Sequence, residues 1–191
     1  MSKANKSNKA IKYRLYPNDE QKVMFAKTFG CCRFVYNQLL ALQKQRYKDG
    51  ESHLSKLKSN EFATRTLKKD YDFLKEIDKF AVSNAVFHLA DAYDRFFKKQ
   101  NHFPKFKSKR KSKKSYTTNF TNNNILIGKN VIKLPKVGMV KAVIHKLPKD
   151  DWKLKSVTVS QDSVGNYFAS VLFEYEQEDI PSVSKSSTNA I

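Results

Sequence analysis

AIKYRLYPNDEQ, Ala10–Gln21, holds the signals that decide the fold. From Ala10 to Tyr16 apolar Ile11, Tyr13 and Leu15 alternate with basic Lys12 and Arg14. A period of two predicts a strand with one face on a core and the other in water. Pro17 lacks a backbone donor and stops the strand. Asn18 can then cap a helix, and Gln21, three residues on, completes a capping box. One strand therefore feeds straight into helical sequence.

Outward from there, the first helix is predicted to end near Gly30, a natural left-handed cap. A second is predicted over Arg33–Tyr47, with Val35, Leu39 and Leu42 on one stripe, closed by Asp49-Gly50. A third is predicted around Ser59–Lys69. The fourth, Lys79–Lys99, carries Val82, Val86, Leu89, Tyr93 and Phe96 at helical spacing, a stripe that reads as core packing. After Pro104 the period changes. Tyr116–Phe120, Ile125–Ile127, Val131–Leu134 and Val137–His145 are short strand-like runs. Lys155–Gln161 and Asn166–Tyr175 flank a hairpin turn at Asp162–Gly165. One strand, then helices, then many strands predicts an α+β protein. Its first strand must join a sheet built mostly from later ones, as in a β-barrel that binds nucleic acid on a groove and carries a helical domain inserted after that strand. The expected boundaries are 1–17 for the first strand, 18–101 for the helical domain with a helix-turn-helix-like start, and 102–177 for the basic segment and the rest of the barrel. Residues 178–191 read as a polar linker.

With 40% hydrophobic residues and only five Gly and five Pro in 191, this is the composition of a folded chain. No apolar run is long enough to span a bilayer, and MSKANKSNKA has no signal-peptide core. Cys31 and Cys32 are adjacent, so they cannot easily bridge to each other, and two thiols do not make a zinc site. A reducing, cytoplasmic setting is expected.

The net charge is +19, and its placement is more informative than its size. Residues 95–149 contain sixteen Lys or Arg and no acid, and residues 1–17 add five basics, again without an acid. A surface that is basic only for solubility would intersperse both signs. Brought together, the two segments would present a positive face suited to a polyphosphate backbone. Lys105, Lys107, Lys109, Arg110, Lys111, Lys113 and Lys114 form its densest block. They are expected to neutralise phosphates with steep salt dependence. Phe103, Phe106, Tyr116 and Phe120 flank the block; Phe106 and Phe120 are expected to pack into the core. Asn122, Asn123 and Asn124 carry amides that suit base edges, and equally a turn.

No phosphate-binding glycine loop, dinucleotide fingerprint, zinc-protease helix or nucleophile elbow occurs. His53, His88, His102 and His145 are scattered and read as surface or groove residues. Carboxylates are not clustered as a two-metal nuclease requires. No catalytic and no metal-binding residue is expected. Two rival readings are a stand-alone, repressor-like DNA-binding protein using the Asn18–Tyr47 helix pair, and a structural RNA-binding protein. A polybasic membrane binder ranks below both, since no anchor accompanies the charge.

KAIKYRLYPNDEQ, TFGCCRFVYNQLL, EIDKFAVSNAVFHLADAYDRFF, FPKFKSKRKSKKSYTTNFTNNNI and IKLPKVGMVKAVIH, in this order, resemble the insertion-sequence OrfB/TnpB family. That family comprises RNA-guided, transposon-associated DNA endonucleases. The resemblance covers residues 9 to about 177. It implies an OB-like wedge barrel split by a helical recognition domain, followed by a RuvC nuclease domain toward which residues 178–191 would lead. Magnesium and zinc would belong to that nuclease half, so no cofactor is expected in residues 1–191, which read as the recognition portion alone. The implied partners are a guide RNA and target duplex DNA. Recognition of a short target-adjacent DNA motif would fall to Lys79, Phe80, Ser83, Thr121 and Asn122. The basic block would hold nucleic-acid backbone, since such systems leave sequence reading to base pairing.

Overall fold

The structure, a computed structural model, describes residues 6–176; the expected linker at 178–191 lies outside them. The fold is α+β. Strand β1 (Lys6–Tyr16) is followed by helix α1 (Asp19–Lys48). Next come the short helix α2 (Lys56–Glu61), a π-helical turn (Phe62–Leu67), α3 (Lys68–Asp70) and α4 (Lys79–Phe97). Six strands complete the order: β2 (Lys114–Asn119), β3 (Leu126–Ile127), β4 (Val131–Leu134), β5 (Gly138–Val143), β6 (Lys153–Gln161) and β7 (Tyr167–Glu176).

All seven strands form one sheet in the order β2-β6-β7-β1-β5-β4-β3, every pairing antiparallel. β1 thus lies inside a sheet whose other members begin only after the 97 residues 17–113 of helix and linker. It pairs with β7 from Lys6↔Glu176 to Leu15↔Tyr167, and its last residues also pair with β5. In chain order the helices lie between β1 and the six strands that share its sheet. One face of the sheet is dry: Ile11, Tyr13, Leu15, Tyr116, Ile132, Val140, Val157, Val171 and Phe173 are all buried. α1 and α4 pack against that face at its β2 end. Phe25 of α1 packs its ring 5.4 Å from Tyr167 and 6.3 Å from Tyr116.

The capping box forms as the sequence predicts. The Asn18 side chain accepts from the Gln21 backbone at 2.8 Å, and Gln21 Oε1 accepts from the Asn18 N–H at 3.1 Å. Gln21 Nε2 also donates to the Met139 carbonyl at 2.9 Å, pinning the helix start to β5. The expected break at Gly30 is absent. α1 runs unbroken through it, so Asn18–Tyr47 is one helix and not a pair. The reason is packing: Phe25, Phe29, Cys32, Val35, Tyr36 and Leu39 continue one buried stripe across the glycine, and tertiary burial outweighs the local cost of Gly in a helix. The predicted third helix appears as α2, the π turn and α3 in succession, within one residue of Lys69 at its end.

Two aromatics depart from expectation. Phe106 is 53% exposed and Phe120 36% exposed, where packing into the core was predicted. In the extended stretch beside α1, Pro104 is buried and Lys107 half-buried, while Phe106 faces out. Phe120 would continue the inward set of Tyr116 and Thr118, but β2 ends at Asn119 and the chain turns away.

Candidate nucleic-acid interface

The NNN run is built as a turn that leaves two side chains outside. Asn122 and Asn123 take left-handed backbone, φ 45° and 54°, a conformation asparagine tolerates better than most residues. Asn124 holds the turn closed. Its N–H donates to the Thr121 carbonyl at 3.0 Å, its side-chain oxygen accepts from the Thr121 N–H at 2.8 Å, and its amide donates to the Asn119 carbonyl at 3.0 Å. Asn122 and Asn123 are exposed and Thr121 is half-buried.

The other motif segment starts α4. The buried Asp78 caps it, accepting from the Ala81 N–H at 3.3 Å. Lys79 is exposed with its ammonium 5.1 Å from the Phe80 ring centre, and Ser83 is half-buried one turn on. Asn84, which the sequence reading passed over, joins the two segments. Its amide donates to the Thr117 carbonyl at 2.9 Å and to Asn119 Oδ1 at 3.2 Å. The first turns of α4 are therefore tied to the end of β2, from which the Phe120–Asn124 turn hangs. Asparagine within a helix is an unremarked residue in sequence; only the meeting of α4 with β2 gives it this role.

The basic block does not behave as one unit. Lys105, Lys109, Arg110, Lys111, Lys113 and Lys114 are exposed. Ser108 and Ser112 shape the turn that displays three of them: the Ser108 N–H donates to Ser112 Oγ at 2.9 Å and the Lys111 N–H to Ser108 Oγ at 3.0 Å. Lys107 differs. Its backbone is clamped on α1 by Asn37, which donates to the Lys107 carbonyl at 2.9 Å and accepts from its N–H at 2.8 Å. Its ammonium lies 4.0 Å from the Tyr36 ring centre, a cation–π arrangement. Burial pulls its pKa below the usual lysine range.

The positive charge is also divided between two faces. Lys12 and Arg14 of β1 alternate with the buried Ile11, Tyr13 and Leu15, so they point away from the helices. The register puts Tyr16 opposite Lys141, Lys141 opposite Val131, and Lys133 opposite Met139. Lys12, Arg14, Lys133 and Lys141 thus share the outer face of the sheet, whereas the 105–114 block borders α1 and α4. The single positive face expected from the sequence is instead two.

Beside α1 and α4 a hollow of about 590 Å3 is lined by Tyr47, His53, Tyr93, Phe97 and Phe103 together with Lys44, Lys48 and Glu51. Tyr47 is 85% and Phe97 63% exposed. Lys44 reaches over the rings of Phe103 and Phe106, at 5.5 and 4.7 Å. Aromatic faces next to lysines suit stacking of unpaired bases. The predicted core stripe holds for Val82, Val86, Leu89 and Tyr93, but Phe96 is half-buried and takes part in this wall. Among the described residues no three His, Cys, Asp or Glu side chains gather as metal ligands would, and no helix is long and apolar enough to cross a membrane.

The chain is similar in sequence to known proteins. A profile of the helix-turn-helix domain of IS605-type OrfB proteins matches residues 5–52. A protein of Streptomyces pristinaespiralis named "Putative RNA-guided DNA endonuclease" is 31% identical over 168 residues, covering 87% of this chain and 41% of that protein. InsQ of Escherichia coli K12, with the same description, is 30% identical over 174 residues, 87% of this chain and 40% of its own length. The virulence protein VsdF of Salmonella dublin is 32% identical over 111 residues, 53% of this chain and 93% of VsdF. The chain spans about two fifths of the length of the two endonuclease-named relatives. The region matched by the helix-turn-helix profile is here β1 and the uninterrupted α1.

Proposed function

We propose, on the premise that this chain belongs to the insertion-sequence OrfB/TnpB family, that it binds nucleic acid as the recognition portion of an RNA-guided DNA endonuclease. In this reading the exposed lysines of the 105–114 block and the outer sheet face hold the guide-RNA scaffold and the guide–target duplex by their phosphates. Lys79, Phe80, Ser83, Thr121 and Asn122 read a short DNA motif beside the target. The sheet corresponds to an OB-like wedge barrel, divided after β1 by the helical recognition domain over 18–101. The inner-strand position of β1 supports that division.

One observation carries the reading most: Asn84 ties the α4 segment bearing Lys79 and Ser83 to the strand whose end displays Thr121 and Asn122. Two segments some forty residues apart thereby present polar side chains at one junction beside an acid-free basic block. Phosphate contacts position a protein and base contacts specify its site, and both kinds of group are present here.

The test is selection from a duplex library randomised at the motif, with the 191-residue chain and RNA transcribed from its own locus. Enrichment of a short motif supports the reading; RNA binding without any enrichment would reduce it to a structural RNA-binding protein. A stand-alone repressor would enrich a site equally well without the RNA. Residues 1–191 by themselves are expected to bind without cutting, and any magnesium or zinc to be held by a nuclease portion of the whole protein.

A further inference from the structure

We propose that the cleft between α1, α4 and the start of β2 is a built pocket for a single phosphate group of a nucleic-acid backbone. This rests on the nucleic-acid reading above and adds to it one defined site, whose lining includes the exposed Lys113 and Lys114.

The cleft is a small cavity of about 40 Å3. Arg33 of α1, His88 of α4, and Lys107, Lys113 and Lys114 line it, and no Asp or Glu is among its lining residues. Tyr116 forms part of its wall. That residue is 3% exposed, and its phenol oxygen is buried without a hydrogen-bond partner. Native structures seldom leave such a group unpaired, and each case calls for a missing partner. Lys107 is half-buried over Tyr36, and burial holds its pKa down. His88 is lowered as well, first by burial and then by the Lys107 charge. Arg33, Lys107, Lys113 and Lys114 bring positive charge to the pocket, His88 brings an imidazole held neutral more readily than usual, and the unpaired hydroxyl belongs to a residue of its wall. A water molecule would satisfy Tyr116 alone, whereas an oxyanion would also answer the basic side chains, with buried Asp78 the one nearby carboxylate felt by Tyr116.

Size narrows the ligand. The cavity has room for two or three water-sized atoms, enough for the non-bridging oxygens of one phosphodiester and too small for a base or a sugar. Its position, where the basic block enters β2, lets the remaining strand run out over exposed Lys109–Lys111.

The experiment compares the full chain with Tyr116→Phe, Arg33→Gln and Lys109→Gln. Melting is followed with inorganic phosphate and with chloride at equal ionic strength, and affinity is measured for duplex DNA and structured RNA. Wild type should melt higher in phosphate. Tyr116→Phe should melt as high as wild type in chloride, because it removes an unpaired buried hydroxyl, yet lose the phosphate-specific rise and bind nucleic acid about tenfold more weakly. Arg33→Gln should also lose the rise. Lys109→Gln should keep the rise and lower only the salt dependence. If Tyr116→Phe retains both the rise and wild-type affinity, the cavity holds water and the pocket is refuted. If it loses the rise but keeps full affinity, the site takes free phosphate and the backbone assignment is wrong. If wild type shows the rise but binds no nucleic acid, the anion pocket stands, while the backbone assignment falls with the broader functional reading.

Discussion

Asn122 and Asn124 stand two residues apart in one run, and the structure gives them opposite tasks. Asn124 spends its amide on Thr121 and Asn119; Asn122 is left-handed and exposed. Replacing Asn122 by Ala would mix lost chemistry with backbone strain, since left-handed backbone costs most residues about 1–2 kcal/mol. Asn122→Gly separates the two, keeping the turn and removing the amide. It should leave melting nearly unchanged and weaken discrimination for the selected DNA motif by about 1–3 kcal/mol, with little loss on random DNA. Preserved motif preference in library selection would make Asn122 a turn former only. The cysteines offer a second test at this scale. Cys31 and Cys32 are buried, and Cys32 Sγ donates to the Ala81 carbonyl at 3.3 Å. Burial first, then the neighbouring Cys31, pushes the Cys32 pKa up to about 12, and burial raises Cys31 too. A raised pKa means less thiolate at a given pH, and the thiolate is what reacts. Folded protein at pH 8 should resist iodoacetamide at both positions, read by mass spectrometry, while denatured protein takes up two equivalents. Residue types at the candidate site were legible in the sequence as an asparagine run and a lysine block. What was not legible was their division of labour: Asn84 and Asn37 act only because the fold brings β2 to α4 and the 105–114 segment to α1, and Lys107 looks like its neighbours until Tyr36 is beneath it.

α1 shows where local reading misleads at the scale of elements. Local propensity puts a helix end at Gly30, because glycine is the residue best able to leave a helix. The apolar stripe from Phe25 to Leu39 was equally visible and runs straight through it. Propensity and periodicity disagreed, and burial of the stripe decided. The consequence is a prediction with a definite sign. A Cβ added at Gly30 would meet nothing within 4 Å, so Gly30→Ala should stabilise the chain by about 0.5–1 kcal/mol by lowering the cost of fixing the backbone. That is a rise of about 1–4 °C in melting temperature for a protein of this size. A fall would mean that Gly30 is needed as a break in solution, as the helix-turn-helix reading requires. The strands are easier to read, because buried and unburied residues alternate in β4, in β1 from Ala10 to Tyr16 and in β7 from Tyr167 to Glu174, and this survives without knowledge of partners. Phe120 departs from its expected burial for a related reason: alternation predicts direction only while the strand continues, and β2 ends one residue earlier.

For the whole molecule, the consequential fact is that the charge is on two faces. The acid-free window does not stay together on folding: its first part borders α1 and α4, and its later part, in β4 and β5, joins Lys12 and Arg14 on the outer sheet surface. A short duplex could neutralise one face alone. A structured RNA that wraps the sheet edge could neutralise both, which is what the proposed guide-scaffold role requires. The salt dependence of binding counts neutralised phosphates, so it can tell these apart. Lys109→Gln, Arg110→Gln and Lys111→Gln together should flatten the plot of log K against log[salt] by up to about one unit per lost contact for both DNA and RNA. Lys12→Gln, Lys133→Gln and Lys141→Gln together should do the same for structured RNA and much less for a short DNA duplex. Because the two sets share no partner, their effects on RNA binding should add. An RNA slope untouched by the sheet-face set would confine the nucleic acid to the helix side, and the outer face of the sheet would then be a solvated basic surface and no part of the interface.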